Sequence, residues 1–305
     1  MYTLSQYASS SYFNSIMKQK YTKIISNIPD KPFYVTNDGS GALYKADCLD
    51  ILRSIPDSSV DMIFADPPYF LSNGGMSCHA GKRVSVNKGA WDKSKGIDET
   101  HRFNLEWLKS CQEVLTENGT IWVSGTAHVI FSIGFAMQQL GFKILNDISW
   151  FKINPPPNLS CRYFTHATET VIWAAKNKKS KHYFNYPLMK KMNNNKQMKS
   201  LWSITAPKPD EKIFGKHPTQ KPLALLERII LASTKKSDVL LDPFTGSSTT
   251  GIAAYRLHRN FIGVDNNKDY LDLSVKRYKV VEKNRPSVKE EIKQVEEQSE
   301  QPAAV

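Results

Sequence analysis

Two short segments of this 305-residue chain combine residue types suited to chemistry as well as to turning the backbone. The first is Asp66-Pro67-Pro68-Tyr69, directly after the apolar run 60–65. Each proline fixes its own φ and restricts the residue before it, so the backbone leaves that run rigidly. Having no N–H, the prolines leave carbonyls free to face a ligand. The Asp66 carboxylate and the Pro67 carbonyl would then both accept from an exocyclic NH2 group, while Tyr69 offers a flat face for stacking. An amino group held by two acceptors keeps its lone pair turned toward an electrophile, as methylation of an amine nitrogen requires. The bland alternative is a rigid turn, because Asp-Pro-Pro punctuates chains anywhere. The apolar run immediately upstream favours a site, since open α/β sheets bind ligands at the carboxyl ends of their strands.

The second segment follows another short apolar run, 239–241, and reads Asp242-Pro243-Phe244-Thr245-Gly246-Ser247-Ser248-Thr249-Thr250-Gly251. A strand, a small-residue turn and a helix let backbone N–H groups meet a polar or anionic cofactor tail. Asp265 ends the next strand, where an acid can accept from ribose hydroxyls. The combination fits a nucleoside-containing cofactor. A phosphate-binding P-loop is the rival, because Gly246 and Gly251 have its glycine spacing. It requires Lys and then Ser or Thr next, and here Ile252 and Ala253 follow.

These segments need a sheet to hold them, and the surrounding pattern supplies one. Apolar runs predict strands over 42–45, 60–65, 120–123, 142–151, 169–174, 239–241 and 260–264. Helical spacing predicts helices over 48–55, 103–115 (stopped by Asn118-Gly119), 130–140, 223–234, 248–257 and 269–281. Strand and helix alternate, so the expected fold class is α/β, a doubly wound and mostly parallel sheet. Residues 154–214 break the rhythm with Pro, Asn, Lys and aromatics. Residues 1–40 read as an extension with at most one short helix, and 284–305 as a solvated Glu/Gln/Lys tail.

Bulk properties narrow the setting. The formal charge is +12, and residues 151–222 hold 14 Lys or Arg against three acids, a net +11. A basic region of this kind attracts a polyanion and releases its counterions on binding; a solubilising lysine-rich surface is the alternative. No apolar stretch of roughly 18 residues suggests a membrane span, and residues 1–20 do not read as a secretory signal. Cys48, Cys78, Cys111 and Cys161 are scattered, which fits free thiols in a reducing cytosol and suggests no metal site.

With Asp66–Tyr69 and residues 242–250 together, the chain resembles the amino-methyltransferases of DNA. Its motif order, catalytic first and cofactor last, resembles their β group. Three further segments share the likeness: Asn154-Pro155-Pro156-Pro157-Asn158, residues 162–169, and His217-Pro218-Thr219-Gln220-Lys221-Pro222 before a helix. It spans about residues 42–279, and residues 64–75 resemble in particular the members that modify GATC. The resemblance implies a methyltransferase fold over 41–153 and 216–283, a target-recognition region over 154–215, and S-adenosylmethionine as cofactor. It implies that Asp66, Pro67, Pro68 and Tyr69 engage the target adenine, rotated out of the DNA for the purpose. Asp242, Phe244, Gly246, Ser247, Ser248 and Thr249, with Thr219, Gln220 and Lys221, would hold the cofactor's methionine part. Asp265 would hold its ribose, and Asp47 its adenine amino group.

In the recognition region Arg162, Tyr163, His166, Lys190, Lys191 and Lys199 are the candidate DNA contacts, most of the lysines positioning on phosphate rather than reading bases. Residues 73–88 read either as a loop over the site or as plain disorder. Type II modification enzymes imply a bacterial cytoplasm, a restriction endonuclease as functional partner, and in some members a homodimer. C5-methylation of cytosine is disfavoured, because it uses a cysteine after proline and none of the four cysteines follows one. Cytosine N4 uses the same geometry and stays open, although its enzymes commonly carry Ser where Asp66 stands. The family usually has Gly-Ser-Gly in the cofactor turn, and this chain has Gly246-Ser247-Ser248. Ser248 would cap the following helix if its φ is negative, and would weaken cofactor binding if its φ is positive. A DNA-binding protein of the same fold with lost catalysis is therefore the non-enzymatic alternative.

Overall fold

Runs that are apolar at every position must be covered on both faces, and that requirement sets the architecture. A computed structural model describes residues 19–69, 96–155, 157–158, 160–215 and 217–283, together with the backbone of 76–79 and 82–85. Its strands are β1 (Tyr34–Val35), β2 (Gly41–Lys45), β3 (Val60–Ala65), β4 (Met76–His79), β5 (Lys82–Ser85), β6 (Leu115–Gly125), β7 (Lys143–Phe151), β8 (Thr168–Ala175), β9 (Leu201–Ser203), β10 (Val239–Asp242) and β11 (Asn260–Asp265). The helices are α1 (19–27), α2 (Cys48–Ser54), α3 (Ile97–Val114), α4 (Ile130–Gln139), α5 (Tyr186–Lys191), α6 (Leu223–Ser233), α7 (Thr249–Arg256) and α8 (Lys268–Lys283).

Among the described residues nine strands form one sheet in the order β1-β2-β11-β10-β3-β6-β8-β7-β9. Its centre is parallel, β2 to β11 to β10 to β3 to β6. β1 and β8 run antiparallel to their neighbours. Helices cover both faces. On one, Ile51 and Leu52 of α2, Trp107 and Leu108 of α3, and Ile133 and Met137 of α4 pack with Ile63, Ile121 and Leu241. On the other, Leu226 and Ile229 of α6, Ile252 of α7 and Tyr278 of α8 pack with Met62, Phe64 and Leu240. There Trp122 stacks on Trp173, with centroids 4.6 Å apart and rings 10° from parallel, and its indole N–H donates to Ser233 Oγ at 3.0 Å.

The doubly wound sheet follows the hydrophobic pattern closely, and the departures have physical reasons. Residues 154–215, read as a basic recognition region around one strand at 169–174, supply that strand as β8 and, beyond the expectation, the edge strand β9; Val171 and Trp173 lie between the helical layers. The expected stop at Asn118-Gly119 falls inside β6, because Leu115 already pairs with Val60. Part of the 1–40 extension is core: Tyr21, Ile24 and Ile28 are buried, and Tyr21 Oη donates to the Phe261 carbonyl at 3.0 Å. Within 73–88, residues 76–79 and 82–85 pair as an antiparallel hairpin. The remainder of that segment, residues 1–18 and the 284–305 tail lie outside the described residues.

Gly251 shows how tightly α7 sits on the sheet. A Cβ there would lie 2.0 Å from Tyr278 Oη and 2.4 Å from the Phe261 ring. Overpacking of this kind costs about 1–3 kcal/mol. Gly251→Ala is therefore expected to lower stability by at least that much in urea unfolding, and a neutral effect would refute the packing described.

Candidate active site

Parallel pairing puts the carboxyl ends of β2, β11, β10 and β3 side by side, and each strand is followed by or ends in an aspartate: Asp47, Asp265, Asp242 and Asp66. All four line one cavity of about 430 Å3. Pro67, Pro68, Tyr69, Thr219, Gln220, Lys221, Phe244, Gly246, Ser247 and Thr249 line it as well. Residues 64–69 and 242–250, some 175 positions apart in sequence, thus share one space.

Most of these acids are already engaged. Asp47 caps α2, accepting from the Leu49 N–H at 2.8 Å. Asp265 accepts from the N–H groups of Gly246 (2.9 Å) and Asn267 (2.8 Å), so the end of β11 fixes the cofactor turn on β10. Asp242 accepts from the Phe244 N–H at 3.0 Å and the Thr250 hydroxyl at 2.6 Å. Burial pushes the Asp242 carboxyl up to about 7.

The turn itself is held from α8. Arg277 Nη1 donates to the Ser247 carbonyl, to Ser247 Oγ at 3.1 Å and to Thr249 Oγ1 at 2.9 Å, and Ser274 Oγ donates to the Gly246 carbonyl at 3.0 Å. Gly246 has φ +50, and a Cβ there would lie 2.9 Å from the His217 ring, so glycine is required on two counts. His217 is itself packed edge-on against Tyr270, with centroids 4.2 Å apart. Phe244 meets Trp107 edge-on at 5.4 Å.

Ser248 differs from its expected role. Its φ is +54 and ψ +40, it makes no capping bond, and it does not line the cavity. Its fully buried side chain instead lies 3.4 Å from Tyr278 Oη. The turn requires a left-handed residue here, so serine cannot adopt the extended geometry of a cap.

At the other end of the cavity the side chains form an ionic network. Tyr69 Oη donates to Asp66 Oδ1 at 2.6 Å, and Lys221 Nζ donates to Asp66 Oδ2 at 2.6 Å. Lys221 Nζ is also 3.0 Å from Tyr69 Oη and 3.6 Å from Glu169 Oε2. Glu169 in turn pairs through Oε1 with Lys152. Burial raises the Asp66 carboxyl above the ordinary range and Glu169 adds to this, against the pull of Lys221 and Tyr69. Burial also works against the charge on Glu169, but Lys221 and Lys152 outweigh it and hold that carboxyl low. Lys221, grouped by resemblance with the cofactor residues, thus has its ammonium on the Asp66 carboxylate. Tyr69, expected as a stacking face, is only 5% exposed, with its hydroxyl in the network.

Among the described residues, two buried polar atoms on the cavity wall lack a hydrogen-bond partner: Gln220 Oε1 and Thr245 Oγ1. Orphaned buried groups of this kind call for a ligand. Together with four carboxylates they suit a cofactor that carries positive charge and an amino group.

The candidate DNA contacts do not form one patch. Arg162, Tyr163 and His166 are exposed on the connection from β7 to β8, at the sheet edge that holds Asp66. Lys190 and Lys191 lie on α5, which joins the carboxyl end of α6 through Asn185 N–H to the Ala232 carbonyl, toward the opposite edge. Lys199 is exposed just before the edge strand β9. The sequence gives no role to Lys152, Arg277 or Ser274, and none to Glu169 beyond its place in the segment 162–169. Glu169 reads there as part of an apolar strand, and Arg277 and Ser274 as ordinary helix residues. Their roles come from partners far along the chain.

Three comparisons set this chain among known proteins. A family model described as DNA methylase matches residues 60–276. The type II methyltransferase M2.LlaDCHI of Lactococcus lactis subsp. cremoris is 56% identical over 264 residues, covering 86% of this chain and 96% of the relative. M2.DpnII of Streptococcus pneumoniae is 55% identical over 262 residues, covering 86% and 97%. The crystal structure of the M1.HpyAVI–SAM complex aligns with TM-score 0.60 at 32% identity, over 78% of this chain and 98% of the other. The cytosine-N4-specific PvuII DNA methyltransferase aligns with TM-score 0.67 at 22% identity, over 90% and 96%, a likeness of fold.

Two outcomes are expected. A left-handed serine costs about 1 kcal/mol, so Ser248→Gly should raise the unfolding free energy by roughly that amount; a lower melting temperature would contradict the strain. Asp242 holds its proton in the folded chain up to about pH 7, whereas an unfolded carboxyl releases it near about pH 4. Its contribution to stability is therefore present at low pH and lost as pH rises through that window. Asp242→Asn should flatten this fall in denaturant titrations across the window, and an unchanged slope would contradict it.

Proposed function

The chain belongs to the DNA methylase family, and on that premise we propose that it methylates N6 of adenine in a short DNA sequence, with Asp66 holding the amino group. It is a DNA methyltransferase of the type II restriction-modification class that uses S-adenosylmethionine. The observation that supports the placement of the chemistry is the shared cavity: Asp66 and the turn after β10 line the same space.

When bound, the cofactor supplies an electrophilic methyl group on a sulfonium centre. Gln220 Oε1 and Thr245 Oγ1 would hold its methionine part, Asp265 its ribose and Asp47 its adenine amino group. The target base must leave the helix to reach Asp66. There Asp66 and the Pro67 carbonyl accept from N6 and direct its lone pair across the cavity, so that orientation carries most of the rate. Tyr69 borders the base on the cavity wall. Once N6 becomes cationic, Asp66 stabilises the charge and takes the proton. Burial favours this, since it makes the carboxylate a stronger base than an exposed one.

Asp at position 66 favours adenine over cytosine N4, and the likeness of residues 64–75 to GATC-modifying members makes GATC the proposed target. Arg162, with Tyr163 and His166 beside it, is the proposed contact to bases or nearby phosphates, because a guanidinium donates two parallel bonds. A restriction endonuclease as functional partner, a homodimer and the bacterial cytoplasm complete the reading. Among the described residues no helix is long and apolar enough to cross a membrane.

Asp66→Ala is expected to reduce tritiated-methyl transfer to DNA by at least about a hundredfold, the scale on which a key polar group acts, while calorimetry still detects cofactor binding. Tyr69→Ala should weaken capture of the base. Near-normal turnover of Asp66→Ala would overturn the mechanism. Protection of the product DNA against a panel of methylation-sensitive nucleases identifies the target, and protection only at sites without GATC would overturn that choice. The left-handed Ser248 keeps one other reading in view, a DNA-binding protein with weakened catalysis; absence of methyl transfer by the wild-type protein would favour it.

A further inference from the structure

Each oxygen of the Asp66 carboxylate already accepts from a side chain: Tyr69 Oη donates to Oδ1 and Lys221 Nζ to Oδ2. A carboxylate oxygen can accept twice, so an amino group arriving at Oδ2 either shares that oxygen with the Lys221 ammonium or replaces it there. Without Asp66 the buried Lys221 ammonium would keep hydrogen bonds, among the described residues, only to the neutral oxygens of Tyr69 (3.0 Å) and the Thr219 carbonyl (3.3 Å). Separating a buried charge from its counter-ion costs several kcal/mol. The structure provides an alternative position. Glu169 Oε2 lies 3.6 Å from the same Nζ, too far for a hydrogen bond, and this buried oxygen has no hydrogen-bond partner among the described residues. Its other oxygen is held by Lys152, so the carboxylate is fixed while one acceptor stays open. The side chains of Lys221 and Glu169 are only 6% and 11% exposed, so water competes little for either.

We propose that Glu169 is a positioning residue that acts through Lys221: its open oxygen receives the Lys221 ammonium when the amino group of the target base takes Asp66 Oδ2. The inference rests on the reading of Asp66 as the acceptor of that amino group. A move of about 1 Å converts the 3.6 Å ion pair into a hydrogen bond of ordinary length. No proton changes hands and no charge leaves the network. Lys221 leaves one carboxylate for another as the base arrives, so Asp66 is exchanged between two cationic or amino donors and is never left bare.

Glu169→Gln and Glu169→Asp separate this role from a structural one. The readouts are single-turnover methyl transfer to GATC-containing DNA from about pH 5 to about pH 9, and the affinity for S-adenosylmethionine. The groups that face Asp66 are Lys221, Glu169, Tyr69 and, across the cavity, Asp242. Without the charge at 169, Lys221 stays on Asp66. E169Q is therefore expected to slow transfer by about tenfold or more, the worth of a hydrogen bond to a charged group. Cofactor affinity should stay within about twofold, and the acid limb should move to lower pH, because Lys221 then holds the Asp66 charge more fully. E169D keeps the charge at a longer reach, so its acid limb stays in place and its rate falls by about two- to tenfold.

E169Q within about twofold of wild type, or E169D no faster than E169Q, would overturn the proposal. Should E169Q not fold, E169D carries the test alone, and a wild-type rate in that variant overturns it. Asp66→Asn, assayed in parallel, distinguishes the two levels. If D66N stays active the reading of Asp66 itself fails; if D66N is inactive and the Glu169 variants are normal, only the role of Glu169 fails.

Discussion

Parallel pairing is the constraint on which this molecule depends. When β2, β11, β10 and β3 run the same way, their carboxyl ends must share an edge, and each end carries an aspartate. Four acids close together would repel, so each is given donors. Backbone N–H groups hold Asp47 and Asp265, Thr250 and Phe244 hold Asp242, and Tyr69 with Lys221 hold Asp66. The acids are thereby fixed in place as acceptors, and an acceptor-lined cavity is what a positively charged methyl donor and an amino substrate both need.

The donors come from elsewhere in the fold, which ties the site to the packing of its helices. Lys221 enters from the turn before α6, and Arg277 and Ser274 reach across from α8 to the turn after β10. Gly251 lets α7 lie close enough to β11 and α8 for those contacts to form. Buried ion pairs add little net stability, because desolvation offsets their attraction. Their use here is geometric: Lys152, Glu169 and Lys221 form a line of alternating charge that ends on the reactive carboxylate.

The basic segment is divided by the same topology. β8 runs through the middle of it and is buried among tryptophans. Its positive charge consequently faces two directions, with Arg162 and His166 at the catalytic edge and Lys190 and Lys191 near the carboxyl end of α6. A net charge counted along the chain overstates how much of it can meet one stretch of DNA.

What the sequence by itself determined was everything carried by local pattern. Apolar runs such as 60–65 and 239–241 specified buried parallel strands, and Asp-Pro-Pro-Tyr and the glycine-containing turn after Asp242 marked where two of them end in chemistry. Motif order identified the family, since order along the chain is a property of the sequence. Hidden from it were relations between distant residues. Nothing near Lys221 in the chain announces Asp66, 155 positions away, and nothing near Glu169 announces an unpartnered oxygen. The sign of the Ser248 φ was equally out of reach, because it is imposed by the path from β10 to α7 rather than by serine's own preference. Local preferences depend on a few neighbouring residues, whereas charge neutralisation and backbone strain at a buried site depend on which elements the completed sheet and its two helical layers bring together.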